Sequence, residues 1–288
     1  MAAMYSNNVV LEGPNPSPKK GVDIKRLQDI LARFEVSIAD ANDLVALEDY
    51  RIVLVCDDSG SMQQSAVPKH MRQLGQDTYS RWQEMQSTAS LVLDIGQCFN
   101  PDGVDVYFLN RAKVANVKGS EDKRFVFACR DAPKGSTPLT RVVTQVVQEC
   151  GGEKPVLLMI LTDGVPDGGP RPFIRAVKDV VAKRSTPHTF KFQVMACTPE
   201  DDDVEWLNVL DRELPQVDVT DDYHTERMQV LKAGKCSNFT RGDWCMKALL
   251  GPVSHKFDGW DESKTLFHGK TAYLEDQCKC EAPQCSIQ

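Results

Sequence analysis

The chain has no apolar run that approaches the roughly 20 residues a membrane-spanning helix requires. It is short of positive charge. Lys and Arg number 34 against 41 Asp and Glu, for a net charge of −7. Phosphate binding needs a positive surface, so this balance argues against a nucleic-acid partner, and no basic cluster with interleaved aromatics overturns it. There is no Gly-x-Gly-x-x-Gly after the first predicted strand and no Gly-x₄-Gly-Lys-Ser/Thr loop, the usual phosphate cradles. There is no Gly-x-Ser-x-Gly elbow for a hydrolase. The five histidines, His70, His188, His224, His255 and His268, are scattered, and only His70 stands near a candidate site as a catalytic base. The stretch Met1 to Asn8 lacks the charged and apolar regions of a signal peptide, so the expected location is the cytoplasm.

Cysteine, by contrast, is plentiful at ten residues. Cys56, Cys98, Cys129, Cys150, Cys197, Cys236 and Cys245 lie singly in or beside apolar runs and read as reduced core residues. Cys278, Cys280 and Cys285 crowd the last eleven residues and form a separate group.

The most informative stretch is Asp57-Asp58-Ser59-Gly60-Ser61, which directly follows the apolar run Ile52 to Cys56. A short apolar run closed by turn residues predicts a buried parallel strand feeding a loop. Asp57, Ser59 and Ser61 then offer oxygen groups at alternate positions, a donor set suited to a hard cation such as Mg²⁺. Gly60 is expected to allow a tight turn there. Asp58 reads as a supporting loop residue. A second apolar run, Val156 to Thr162, ends at Asp163-Gly164 and suits a central parallel strand. Between them, Lys134 to Leu139 is a loop opening a helix and carries Thr137. Ligands in open α/β sheets bind beyond the carboxyl ends of the strands, where these three loops would meet.

Asp57, Ser59, Ser61, Thr137 and Asp163 together resemble the metal-ion-dependent adhesion site of von Willebrand factor A (vWA) domains, over roughly residues 48–256. The resemblance implies a doubly wound, mostly parallel Rossmann-like α/β sheet with helices on both faces. It implies Mg²⁺, or Mn²⁺, held by Ser59, Ser61 and Thr137, with Asp57 and Asp163 acting largely through bound waters. A cation touched mainly by neutral groups stays under-neutralised and attracts an Asp or Glu of a partner protein. The expected activity is thus metal-dependent protein binding without chemistry. A metal-assisted hydrolase is one alternative, and would need a base against a bound water. An extracellular adhesion protein is the other; Arg241-Gly242-Asp243 and the sequon Asn238-Phe239-Thr240 point that way, but both fall at a predicted helix start and read as chance matches.

The predicted organisation is a flexible leader over 1–20, a helical hairpin over 21–47, the vWA domain over 48–256 and a tail over 257–288. Alternating strands and helices predict about six strands in one sheet. Helices are predicted over Val22–Phe34, Ser37–Leu44, Ser80–Phe99, Leu139–Val147, Ile174–Val181, Thr225–Leu231 and Asp243–Leu250, with residues 62–77 a polar loop. Arg124 to Cys129 is expected to be the antiparallel edge strand. Glu200 to Asp203 is expected to open a helix running through Leu210, its acidic groups matching the helix dipole.

The chain ends Cys285-Ser286-Ile287-Gln288, a C-a-a-X pattern whose final Gln suits farnesyl transfer. One lipid gives only marginal membrane binding, and palmitoyl groups on Cys278 and Cys280 would supply the second signal that acidic Glu275, Asp276 and Glu281 do not. The tail resembles those of doubly palmitoylated, farnesylated Ras-type small GTPases. Incidental thiols on a disordered tail are the next reading. A zinc cluster with His268 comes last, because Cys-x-Cys-x₄-Cys departs from paired Cys-x-x-Cys ligands. The intact mass of the full chain from a eukaryotic host is expected to include a lipid at Cys285, and a mass equal to that of the bare polypeptide would reject the lipid reading.

Overall fold

A computed structural model describes residues 24–67, 79–150, 154–182, 190–234 and 236–260. The expected leader, the His70 segment and the cysteine-rich tail lie outside the described residues.

The central elements form where continuous apolar runs leave no polar face. β1 (Arg51–Cys56), β4 (Val156–Thr162) and β5 (Phe190–Ala196) are parallel neighbours, and every residue of β4 is buried. A strand covered by helices on both sides must be apolar on both sides, which is why alternation is missing from these runs. β2 (Val104–Phe108) adds in parallel beyond β1, β3 (Val114–Val117) pairs antiparallel with β2, and β6 (Val217–Thr220) closes the far edge beside β5. The six-stranded order is β3-β2-β1-β4-β5-β6. This is a doubly wound α/β sheet, as expected. The order reverses between β1 and β4, the place where sheets of this kind bind ligands, beyond the carboxyl ends of the two strands.

Two apolar layers cover the sheet. On one face, Ile52, Leu54, Met159 and Leu161 meet α1 (Ile24–Arg33), α3 (Arg81–Phe99) and α10 (Arg241–Leu250). On the other, Val53, Val55, Leu158 and Ile160 meet α5 (Leu139–Glu149), α6 (Pro170–Ala182) and α8 (Asn208–Glu213). Each fully buried Leu, Ile or Val contributes about 1.5–3 kcal/mol by leaving water.

The helix termini follow their local chemistry. The Ser80 hydroxyl accepts from Gln83 N while the Gln83 side chain accepts from Ser80 N, a capping box that starts α3. Thr240 and Asp243 repeat the device at α10. The sequon and the Arg-Gly-Asp triplet are therefore built into a helix start: Phe239 is buried, Asp243 is the reciprocal cap and Gly242 is packed. Asp222 caps α9 (Tyr223–Ala233).

Three expectations are corrected. Residues 124–129 do not form the edge strand; they belong to α4 (Lys123–Cys129), and β3 takes the edge. Asp122 accepts from Arg124 N and caps a helix that buries Phe125 and Cys129, four residues apart, while Val126 and Phe127 stay exposed. The helix expected from Glu200 through Leu210 is broken into α7 (Asp201–Val204), a 3₁₀ turn over Glu205–Leu207 and α8. The second lead-in helix is only α2 (Ile38–Ala41), followed by a 3₁₀ helix over Asp43–Asp49. A short α11 (His255–Asp258) follows α10 and had no distinct sequence signal. Of the core cysteines, Cys56, Cys129, Cys150, Cys197 and Cys245 are buried and Cys98 and Cys236 half-buried; all seven are free.

α10 is fixed tightly. Lys247, fully buried, reaches Asp218 Oδ1 on β6 at 3.3 Å and Glu226 Oε1 on α9 at 3.7 Å. Asp218 Oδ2 accepts from Gln193 Nε2 at 2.7 Å and Thr220 Oγ1 at 3.0 Å. At the start of α10, a Cβ on Gly242 would lie 2.1 Å from the Glu35 carbonyl oxygen in the turn after α1. Gly242→Ala must therefore push the lead-in off α10. It is expected to cost about 2 kcal/mol or more in urea unfolding, within the usual range for overpacking. An unshifted midpoint would show that this contact is loose.

Candidate metal site

β1 delivers Asp57 to the point where the strand order reverses. Its backbone N–H continues the ladder to Leu161 O at 2.9 Å, so the residue is placed by the sheet itself. Asp57 Oδ1 accepts from Ser59 N at 2.9 Å, and Oδ2 accepts from Thr162 Oγ1, the last residue of β4, at 2.7 Å. The Ser59 and Ser61 hydroxyls lie 3.0 Å apart, and Ser61 Oγ donates to Asp163 Oδ1 at 2.9 Å. Four of the five sequence-predicted residues thus form one hydrogen-bonded chain across the β1 and β4 strand ends.

The fifth, Thr137, is half-buried on the neighbouring loop and is not part of that chain. Its N–H donates to Asp167 Oδ1 at 3.0 Å and its carbonyl accepts from Asp167 N at 2.9 Å, which ties it to the loop after β4. The same loop meets the first one where Gly60 N donates to Gly135 O at 3.0 Å.

Gly60 does not carry the turn as expected. A Cβ there would meet only an ordinary contact, 3.7 Å from Gly135 O, and its φ is not positive. The glycine the site needs is Gly135, with φ +111° and with Asn110 Oδ1 only 2.5 Å from where a Cβ would sit. Asn110 explains Asp58. The fully buried Asp58 carboxylate accepts from Asn110 N at 2.8 Å and Nδ2 at 3.2 Å and pairs with Arg111 Nε at 3.1 Å. Asn110 Nδ2 also donates to Ser136 O at 2.8 Å. Asp58 therefore faces away from the Asp57 chain and anchors the Thr137 loop through Asn110. Arg111 lies over the Trp82 ring and donates to Asp131 O and Ala132 O, securing the segment before that loop.

Arg81 was missed by sequence reasoning. It is the first residue of α3, its side chain is only 4% exposed, and Nη1 donates to Asp163 Oδ2 at 2.9 Å. Nη2 pairs with Asp203 Oδ2 at 3.0 Å. Its only sequence signal is position, directly after the Ser80 cap. The acidic run at Glu200 thus includes a side chain, Asp203, that serves the site.

Asp57 and Asp163 are 0% and 1% exposed. Burial, then the negative charge of Asp163, push the Asp57 carboxyl up to about 6. Two adjacent buried carboxylates with two hydroxyls make an all-oxygen donor set that fits a hard divalent cation, and a cation would relieve the repulsion. A second carboxylate cluster, Asp211, Asp218 and Asp258, has oxygens within 4.8 Å of one another, but Asp218 is held by Lys247, Gln193 and Thr220. Neither His224 nor His255, both exposed, hydrogen-bonds to the Asp57 chain.

No family model matches the chain, and no curated protein matches it. Among solved structures, the crystal structure of the manganese-loaded TRAP protein of Plasmodium vivax is similar over 62% of this chain and 71% of that one, at 14% identity and a TM-score of 0.35. At that distance the likeness carries no functional argument, and the site is read from its own geometry.

The raised Asp57 carboxyl has a definite consequence for the metal-free protein. Protonation favours the fold, so this contribution is fully present below the ordinary value near 3.8 and is lost as pH rises through about 6. In metal-free buffer, Asp57→Asn is expected to be more stable than wild type at pH 7, by at most about 3 kcal/mol. The gap should close as pH falls from 7 to 4. Urea melts in which the two curves stay parallel across that range would refute it.

Proposed function

We propose that this chain is a vWA-type module that binds Mg²⁺ or Mn²⁺ at Asp57, Ser59, Ser61, Thr137 and Asp163 and recruits an Asp or Glu of a partner protein. The observation that carries this reading is the single hydrogen-bonded chain of Asp57, Ser59, Ser61 and Asp163 at the point where the strand order reverses. Ser59 and Ser61 would present neutral oxygens to the cation, and Thr137, on a neighbouring loop tied by Asp167 and Asn110, is the proposed third donor. Asp57 and Asp163 are held in place by Thr162 and Arg81, so the carboxylates are oriented before any ligand arrives. The cation supplies a positive centre when bound, and neutral hydroxyls leave part of that charge for a partner's carboxylate.

The reading is of a binding protein rather than an enzyme. What supports it is that both carboxylates are already engaged within the protein, Asp57 by Ser59 N and Thr162 and Asp163 by Ser61 and Arg81, an arrangement suited to holding a cation. Among the described residues no helix is long and apolar enough to cross a membrane. Attachment to a cytoplasmic membrane face, if the tail is lipidated as its pattern predicts, would therefore be through Cys285, Cys278 and Cys280.

Ser59→Ala is the cleanest test, because it removes one hydroxyl and breaks no ion pair. Asp163→Ala is less clean, since it strips the buried Arg81 of one carboxylate. Calorimetric titration of the metal-free protein with Mg²⁺ or Mn²⁺ is expected to give saturable binding in wild type and a loss of roughly tenfold or more in Ser59→Ala. A cytosolic partner should be captured by wild type with Mg²⁺ and released by EDTA. Equal binding isotherms for wild type and Ser59→Ala would remove the assignment.

A further inference from the structure

We infer that Arg81 is a built-in counter-cation of the metal site, which weakens cation binding by the free protein and reserves positive charge for an incoming carboxylate. The inference rests on the proposed metal reading and concerns a residue outside the five expected ligands.

Its basis is geometry and charge. Arg81 enters from α3, an element that supplies none of the five residues, and is buried beside Asp163. Its planar fork is divided: Nη1 takes Asp163 Oδ2 at 2.9 Å, and Nη2 takes Asp203 Oδ2 at 3.0 Å. Asp163 is left with Oδ1, the oxygen that accepts from Ser61. One carboxylate oxygen is thereby committed to the protein and one faces the hydroxyl chain.

The charge balance at the centre sets the direction of this effect. Asp57, Asp163 and Arg81 together carry one net negative charge in the ionised state. Asp58 contributes little, being matched by Arg111. Asp203, 42% exposed, contacts Arg81 at 3.0 Å and offsets part of its charge, an offset that exposure to solvent weakens. A divalent cation then leaves the centre with up to one net positive charge, which a single Asp or Glu of a partner would neutralise. Without Arg81 the same centre would be neutral or negative with metal alone and would gain little from a carboxylate. A guanidinium keeps its proton under all relevant conditions, so this bias is permanent.

The test compares wild type, Arg81→Gln and Arg81→Lys, all as the full chain. Gln can still donate one hydrogen bond to Asp163 but carries no charge; Lys restores the charge without the fork. Mn²⁺ affinity is read by electron paramagnetic resonance of free Mn²⁺, with and without acetate as the carboxylate probe. Arg81→Gln is expected to bind Mn²⁺ roughly tenfold more tightly than wild type, because a nearby buried positive charge is gone. Acetate should strengthen Mn²⁺ binding by wild type and by Arg81→Lys, and fail to do so in Arg81→Gln. The Mn²⁺ concentration giving the half-maximal rise in Tm is a second readout that does not need a folded metal-free state. Wild type that binds Mn²⁺ with Arg81→Gln equal or weaker would overturn the role of Arg81 alone. Wild type that binds no Mn²⁺ would overturn the metal reading and this inference with it.

Discussion

Everything at this site depends on holding two carboxylates close together where water cannot screen them. Asp57 and Asp163 follow the last residues of adjacent parallel strands, and the β1–β4 register pairs Cys56 with Leu161. The ladder is continuous and buried on both faces, so neither strand can slip to separate the two acids. Burial first, and then the neighbouring charge of Asp163, raise the Asp57 carboxyl, where solvent at a surface would have relieved both. The apolar cores above and below the sheet supply the rigidity that makes this arrangement tolerable. The site is thus a product of the sheet, with the loops adding hydroxyls to a position the strands have already set.

The surrounding acids are handled differently from the proposed metal-binding pair. Asp58, as buried as Asp57, has two donors from Asn110 and an ion pair with Arg111. Asp218, equally buried, has Lys247, Gln193 and Thr220. Each of those carboxylates has a cationic partner, although burial still raises the Asp58 carboxyl. Among the described residues Asp57 has an amide and a hydroxyl but no cation, and Asp163 shares its one guanidinium with Asp203. Asp57 thus lacks the cationic partner that Asp58 and Asp218 have, which is consistent with the proposed cation site.

The central strands and Asp57, Ser59, Ser61 and Asp163 were legible because their signals are local: unbroken apolar runs ending in acids and hydroxyls. The edge was not. Arg124 to Cys129 contains enough aromatic and branched residues to read as a strand, but the Asp122 cap and the four-residue spacing of Phe125 and Cys129 favour a helix, leaving the edge to the short Val114–Val117. Arg81 and Asn110 were invisible for a different reason. Each acts on a partner dozens of residues away, Asp163 in one case and Asp58 with the Thr137 loop in the other, and nothing in their own neighbourhoods announces it. Gly60 reads as the turn residue because it sits inside the motif, whereas the need for glycine arises at Gly135 from the approach of Asn110.

The same contacts constrain how far ligand binding can propagate. A ligand shifts a conformational equilibrium only by its differential affinity for the two states. Moving α10 would have to separate buried Lys247 from Asp218 and Glu226, a disruption of about 3–5 kcal/mol when such a pair is broken outright. It would also have to draw Gly242 away from its close contact with Glu35. The opposing route is softer. Asp203 is part-exposed, sits on the short α7, and is followed by a 3₁₀ turn rather than a continuous helix. Among the described residues its charged link to the proposed metal site is one arm of Arg81. A rearrangement of Asp163 on ligand binding would therefore be felt first through Arg81 in the Thr198–Val204 segment, and α10 would hold the sheet fixed while it happened.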